Sequence, residues 1–381
     1  MEAISLYIHI PFCRAKCHYC DFGSQVLAGP AEQLDGYVAA LIQEIRQSEP
    51  GRVATVYMGG GTPTVLPLWH LADIIEAARR SFAVVSGAEV TIEANPCTLD
   101  LGVVSGLLSL GITRLSLGVQ SFNDSELRIL GRVHTADGAA EAFKTARAAG
   151  FDNINLDLIY GLPGQSLDSW RESLERVLDL EPEHVSLYAL SVEEGTPMAR
   201  AIARGELRAP DPDLAADMYV LSQQSLGTAG YVHYEISNWA RTTSHQCRHN
   251  LAYWRNQTYM GIGAGAHSWA KARRWANANE PEDYVARILS GRRPVEWEEE
   301  IAIALEMGET MMMGLRLLEE GVEHDRFRRR FGVTLGEQYA DELDDLVGLG
   351  LLVDNGVRVR LSERGRLLGN KVFGRFLPDS S

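Results

Sequence analysis

Six short runs rich in aliphatic and β-branched residues recur in the first half of the chain: Leu6 to Ile10, Thr55 to Met58, Glu89 to Glu93, Arg114 to Gln120, Asn153 to Ile159 and His184 to Leu190. Between them lie segments with apolar residues at helical spacing, among them Leu34 to Arg46, Leu71 to Phe82 and Ala139 to Ala149. Strands alternating with amphipathic helices predict an α/β fold, a parallel sheet joined by right-handed crossovers. Six βα units predict a partial (β/α)6 barrel rather than a closed barrel of eight, and ligands then collect at the C-terminal ends of the strands. The cysteine-containing loop after strand one, Gly59 to Thr64 after strand two and Glu93 to Pro96 at the end of strand three fall there.

Beyond Pro210 the alternation fades, and after Pro294 the pattern is helical, with a methionine cluster at Met311 to Met313. The tail reads helix, helix, then Leu351 to Leu361, a hairpin whose Asn355-Gly356 pair suits a φ > 0 turn. That order predicts a C-terminal, mostly helical, winged-helix-like module. The expected division is 1–210 for the partial barrel, 211–293 for an extension of it and 294–381 for the module. The methionines read as core filling, with an adaptable docking surface as the alternative.

Composition narrows the class. Of 381 residues 45% are hydrophobic and 23% charged, as in soluble globular proteins, and no apolar run is long enough to span a bilayer. The N-terminus alternates like a strand and has neither the basic start nor the cleavage site of a signal peptide, so a cytoplasmic location without a membrane anchor is expected. A formal net charge of -15 opposes polyanions and predicts no general nucleic-acid binding; the basic run Arg326 to Arg330 is too local to reverse it, and the tail module reads as a packing or docking unit.

Five cysteines, three of them clustered, fit a metal site in a reducing compartment better than a disulfide framework. Cys13, Cys17 and Cys20 have no fourth cysteine close by. Three thiolates on one loop leave one iron of a [4Fe-4S] cluster open to an outside ligand. The competing reading is a zinc site completed by His9 or His18, although structural zinc is usually enclosed by paired ligand knuckles. Gly59 to Gly61 would let backbone approach a charged ligand, or form an ordinary turn. Glu93 offers an acceptor for hydroxyl or ammonium groups, or a solvated strand end. Cys97 reads as a small packing residue.

The Cys-x3-Cys-x2-Cys loop with Tyr19 before its last cysteine resembles the cluster loop of the radical S-adenosylmethionine (SAM) superfamily, in which SAM chelates the open iron. Tyr7 to Cys13, Gly59 to Thr64, Leu117 to Phe122, Asn155 to Pro163 and Gly261 to Ala266 extend the resemblance, over nearly the whole chain, to the oxygen-independent coproporphyrinogen III oxidase group. The resemblance implies a radical SAM barrel holding a [4Fe-4S] cluster on Cys13, Cys17 and Cys20. It also implies SAM among Tyr7, Tyr19, Gly60, Gly61, Thr62, Glu93, Gln120, Arg132, Asp157 and Ala189.

Two departures separate branches of the group. The oxidases carry a further cysteine where this chain has Phe22, and a longer segment ahead of the loop. His249-Asn-Leu-Ala-Tyr-Trp254 is similar to the His-Asn-x-x-Tyr-Trp motif of the HemW-type heme-chaperone branch. That likeness implies heme as cargo with His249 as its ligand, a heme-acceptor protein such as a membrane-bound respiratory protein, and an electron donor. Imidazole is a familiar heme ligand and Tyr253 and Trp254 could pack on a porphyrin. Residues alone equally suit a buried histidine beside two core aromatics, and Cys247, His245 and His267 are rival iron ligands. Two activities compete with a chaperone lacking oxidase activity. One is oxygen-independent coproporphyrinogen III oxidation through SAM cleavage, which Gln120, Arg132 and Asp157 keep open; the other is radical SAM modification of RNA.

Overall fold

The computed structural model describes residues 3–27 and 31–378. Its frame is one sheet of twelve strands. All six predicted strands are present, as β1 (Ile4–Ile10), β2 (Arg52–Gly60), β3 (Ala83–Ala94), β4 (Arg114–Gln120), β5 (Ile154–Tyr160) and β6 (His184–Ala189). They run parallel in sequence order. Period-two alternation sends Leu6, Ile8 and Ile10, Val56 and Met58, Leu115 and Leu117, and Leu156 and Leu158 into the main apolar core. Among the helices that cover this face, Ala31–Gln47, Leu68–Ser81 and Ala136–Ala149 answer to the three predicted ones.

The opposite face is polar. Thr55, Tyr57, Glu89, Glu93, Arg114, Ser116, Asn155, Asp157, His184 and Ser186 alternate with the core residues and hydrogen-bond or face one another inside the curve of the sheet. Parallel sheets covered on both faces usually carry near-continuous apolar strands. A polar inner face therefore marks the concavity as a place for chemistry.

Six further strands extend the sheet at both edges: β7 (Val232–Glu235), β8 (Asn238–Ala240), β9 (Tyr259–Ile262), β10 (His267–Ala270), β11 (Arg273–Asn277) and β12 (Val295–Glu300). The spatial order is β12-β11-β10-β9-β1-β2-β3-β4-β5-β6-β8-β7. β9 joins β1 in parallel, and the remaining added pairs are antiparallel. The sheet remains open, with β12 and β7 at its edges, as an incomplete barrel.

From Ile303 onward helices build a second, smaller core around Met311, Leu315, Phe327, Leu343 and Val359. Met311 is buried and Met312 packs against that core, as core filling predicts. The hairpin is present as Leu352–Asp354 and Arg358–Leu361, with Gly356 at φ 75° in its turn. Arg326 pairs with Glu320 and Arg330 with Glu306, so part of the basic run is spent within the chain. No described helix is long and apolar enough to cross a membrane.

Candidate functional site

The C-terminal strand ends surround a cavity of about 520 Å³. The cysteine loop forms one wall and is tied down on several sides. Phe12–Cys13 pairs with Gln25–Val26, His18 N–H donates to Leu130 O at 2.9 Å, and Arg14 Nη1 donates to Cys97 O at 3.0 Å. Cys13, Cys17 and Cys20 all line the cavity, half-buried. Each sulfur has a polar neighbour: Thr62 Oγ1 donates to Cys13 Sγ at 3.5 Å, Arg132 Nη1 to Cys17 Sγ at 3.4 Å, and Ser24 Oγ lies 3.7 Å from Cys20 Sγ. Hydrogen bonds to sulfur are among the levers that tune an iron-sulfur centre.

The three thiols border one shared space. His9 is fully engaged, with Nδ1 2.9 Å from the Tyr7 hydroxyl and Nε2 3.2 Å from Gly23 O. His18 places Nδ1 3.0 Å from Ile129 O. A soft three-sulfur donor set around a space suits a cluster better than a single zinc.

The glycine loop closes against the same wall. Gly61 N–H donates to Ile10 O and Thr62 N–H to Phe12 O, both at 2.8 Å. Gly60 adopts φ 111°, and a Cβ on Gly61 would lie 2.7 Å from Phe12 O. Only glycine permits this approach. Gly60 N–H donates to Glu93 Oε2 at 3.0 Å, and the Tyr57 hydroxyl donates to Glu93 Oε1 at 2.7 Å. Burial pushes the Glu93 carboxyl up to about 7 despite those bonds. Asp157, likewise raised by burial, accepts from Ser116 and Asn155 at 2.9 Å each. Gln120 is held at φ 68° where β4 ends, a left-handed backbone state uncommon in non-glycine residues.

Of the ten residues expected around SAM, nine line this cavity: Tyr19, Gly60, Gly61, Thr62, Glu93, Gln120, Arg132, Asp157 and Ala189. Tyr7 lies behind them, its ring 6.1 Å from Tyr57 and its hydroxyl on His9. Cys97, expected to pack inside, is exposed at the cavity edge because the turn after β3 presents it outward. Phe22 and Val133, 68% and 57% exposed, stand on the rim with Tyr188.

His249 is elsewhere. Its helix, Arg248–Trp254, packs beneath the cavity against the polar face of the sheet, and its imidazole is 1% exposed. Nδ1 lies 2.8 Å from Thr55 Oγ1, and Nε2 3.0 Å from the Tyr253 hydroxyl. Burial and the Arg114 charge lower its pKa to about 3, so the ring is neutral. Glu89, from β3, accepts the N–H groups of Arg248 and His249 at 3.0 Å each. Trp254 carries the Arg316 guanidinium 4.2 Å above its ring. Cys247 is fully buried and its thiol is pushed up to about 12, whereas His245 is half-buried and His267 exposed. Sequence reasoning missed Arg114, a guanidinium 2% exposed among Glu89, Cys247, Tyr57 and Tyr234. Its only signal was a cation opening a strand that otherwise carries no charge.

A partial barrel with three thiols facing a strand-end cavity defines a radical SAM protein. The Radical SAM superfamily model matches residues 7–177 and the HemN C-terminal domain model residues 306–368. The solved structure of coproporphyrinogen III oxidase (HemN) from Escherichia coli, a radical SAM enzyme, shares this fold with TM-score 0.84 over 98% of this chain and 90% of that one, at 24% identity. The heme chaperone HemW of Lactococcus lactis is 36% identical over 98% of this chain and 97% of its own, and that of Bacillus subtilis 37% over 98% and 99%. The chain belongs to the HemW family of heme chaperones.

Proposed function

We propose that this protein binds heme, carries a SAM-capped [4Fe-4S] cluster and transfers heme to an acceptor protein. The observation that carries the reading is the joint placement of two features in one barrel interior. The cysteine-lined cavity lies at the strand ends, and the neutral imidazole of the His-Asn-x-x-Tyr-Trp helix lies directly beneath, against Tyr57. Cys13, Cys17 and Cys20 would hold the cluster, with the Thr62 and Arg132 donors stabilising negative charge on sulfur. SAM, when bound, supplies the ligand that closes the open iron. Gly60 and Gly61 give its polar end room, Glu93 accepts from an ammonium or hydroxyl group, and Arg132 and Asp157 offer opposite charges along the wall. Tyr19, Thr62, Gln120 and Ala189 complete the enclosure, and Tyr7 supports it from behind.

His249 is the proposed heme ligand. Ligation requires one of its two hydrogen bonds to open and the ring to leave its pocket. Cys247 is the weaker rival, because a thiol held protonated is a poor thiolate donor. A cytosolic, reducing setting keeps the cluster thiols available, and an electron donor would set the cluster's oxidation state.

A Soret titration of cluster-loaded protein tests the heme site. His249→Ala is expected to lose most heme affinity while His245→Ala and His267→Ala retain it; unchanged binding in His249→Ala overturns the assignment. The cavity's Gln120, Arg132 and Asp157 favour one second reading, coproporphyrinogen III oxidation. Robust protoporphyrinogen formation from coproporphyrinogen and SAM by the reduced protein would establish it in place of the chaperone.

A further inference from the structure

Two buried arms of side chains join the cavity to the helix that carries His249. In the first, Glu93 Oε1 accepts from the Tyr57 hydroxyl at 2.7 Å, and the Tyr57 ring stacks on the His249 imidazole with centroids 5.0 Å apart and planes at 29°. Gly59 leaves room for this contact, since a Cβ there would fall 2.8 Å from the Tyr57 ring and 2.9 Å from the Glu93 carboxylate. In the second arm Asn155 Nδ2 donates to Asp157 Oδ1 at 2.9 Å and to Ser116 Oγ at 2.7 Å, which turns Oδ1 toward His184 Nδ1 at 2.6 Å. His184 therefore donates from Nδ1 and accepts at Nε2, where the Tyr234 hydroxyl lies at 2.8 Å. The Tyr234 oxygen in turn accepts the Cys247 N–H at 3.3 Å. Both arms begin on carboxylates of the cavity wall and end within three residues of each other, on Cys247 and His249.

We infer that Tyr57 is a positioning residue that couples occupancy of the cavity to the availability of His249. The inference rests on the proposed heme site and adds its control. In this arrangement Glu93 holds the Tyr57 hydroxyl and the ring clamps His249. A ligand whose ammonium or ribose hydroxyl takes Glu93 as its acceptor competes for that carboxylate. Tyr57 is then released, the stack loosens, and the imidazole is freed to leave Thr55 and Tyr253 for heme iron. The two ligands thus bind with positive cooperativity, and linkage requires that heme tighten SAM by the same factor that SAM tightens heme.

The test is a Soret titration of the full-length, cluster-loaded chain with and without saturating SAM, in the wild type and in Tyr57→Phe, Tyr234→Phe and His249→Ala. In the wild type SAM is expected to tighten heme about fivefold or more, the usual scale of coupling between sites. Tyr57→Phe keeps the ring but frees it from Glu93, so its heme affinity without SAM should already match the SAM-bound value and the ratio should fall to about one, as uncoupled sites require. A residue that merely supports the fold would weaken both ligands and leave the ratio alone. No coupling in the wild type, or undiminished coupling in Tyr57→Phe, overturns the inference. Loss of heme in His249→Ala with no SAM effect in the wild type removes the coupling and leaves the heme site standing. Wild-type heme binding in His249→Ala removes both. Should Tyr57→Phe not take up its cluster, Tyr234→Phe, which breaks only the second arm, decides: a wild-type ratio there leaves the coupling with Tyr57, and a ratio of about one overturns that assignment.

Discussion

Arg132 concentrates the chemistry of the cavity in one side chain. Nη2 donates to Gly118 O at 2.6 Å and Nη1 to Cys17 Sγ, so a cation is fixed against a sulfur that would ligate iron. A positive charge and an N–H bond both favour the electron-rich, reduced cluster. Arg132→Met is therefore expected to move the cluster's midpoint to a more negative potential; an unmoved midpoint in an EPR-monitored redox titration would reduce Arg132 to a prop for Gly118. Glu93 predicts a pH effect. Free of ligand, its carboxyl sits near 7, and an ammonium brought against it favours the ionised form. SAM binding below about pH 7 should therefore release a proton and weaken as the pH falls, and calorimetry in buffers of different ionisation enthalpy would show it. Glu93→Gln should bind weakly and without that pH dependence. The thiols, the glycines and Glu93 were legible because each sits at a strand end within a local motif. The surroundings of His249 were not, because its partners Thr55 and Glu89 come from strands far away in sequence.

At the scale of elements, period-two alternation identified β1 to β6, since each buries one face under helices. The edge strands escaped notice for a physical reason. β8, β9 and β10 have only three or four residues, too few to show a period, and β12 reads Val-Glu-Trp-Glu-Glu-Glu, an exposed edge rich in charge. One buried carboxylate welds this extension to the first helix. Glu44, on Ala31–Gln47, accepts from the Tyr284 hydroxyl at 2.6 Å, Gly263 N–H at 2.8 Å and Asn277 Nδ2 at 2.7 Å. Burial nevertheless raises its carboxyl to about 7, above the 4.5 of an unfolded chain. The folded state then binds more protons than the unfolded between those values, so Glu44's contribution to stability is greatest at low pH. It falls as pH rises toward 7 and is level above that, by at most about 3 kcal/mol. Denaturant titrations across that window should show a smaller decline in Glu44→Gln than in the wild type. An identical decline would mean that Glu44 does not titrate there.

At the scale of the whole molecule, the C-terminal module grips the end of the His249 helix and strand β7. Arg255, which caps the helix, forks onto Glu320, Arg330 donates to Asn256 O just beyond it, and Leu318 N–H donates to Tyr234 O in β7. Arg316 is the central grip. It stacks on Trp254 and pairs at 3.4 Å with Glu235, a carboxylate fully buried in β7 whose other partners among the described residues are Asn238 and the Ser237 N–H. Removing one member of such a pair leaves an uncompensated buried charge, whereas removing both does not. Arg316→Met is expected to cost roughly 2–3 kcal/mol, moderated because Arg316 is itself partly exposed. Adding Glu235→Gln to it should recover part of the loss. Trp254 would lose its cation in both chains, so any fall in heme affinity common to the single and double variants reports the grip on the helix rather than the buried charge. Cluster uptake should be spared throughout, because the cysteine loop's backbone and side-chain partners given above, Leu130, Arg132, Thr62 and Cys97, all belong to the barrel. Full recovery of heme affinity by the second substitution would instead show that the module acts on the helix only through Glu235.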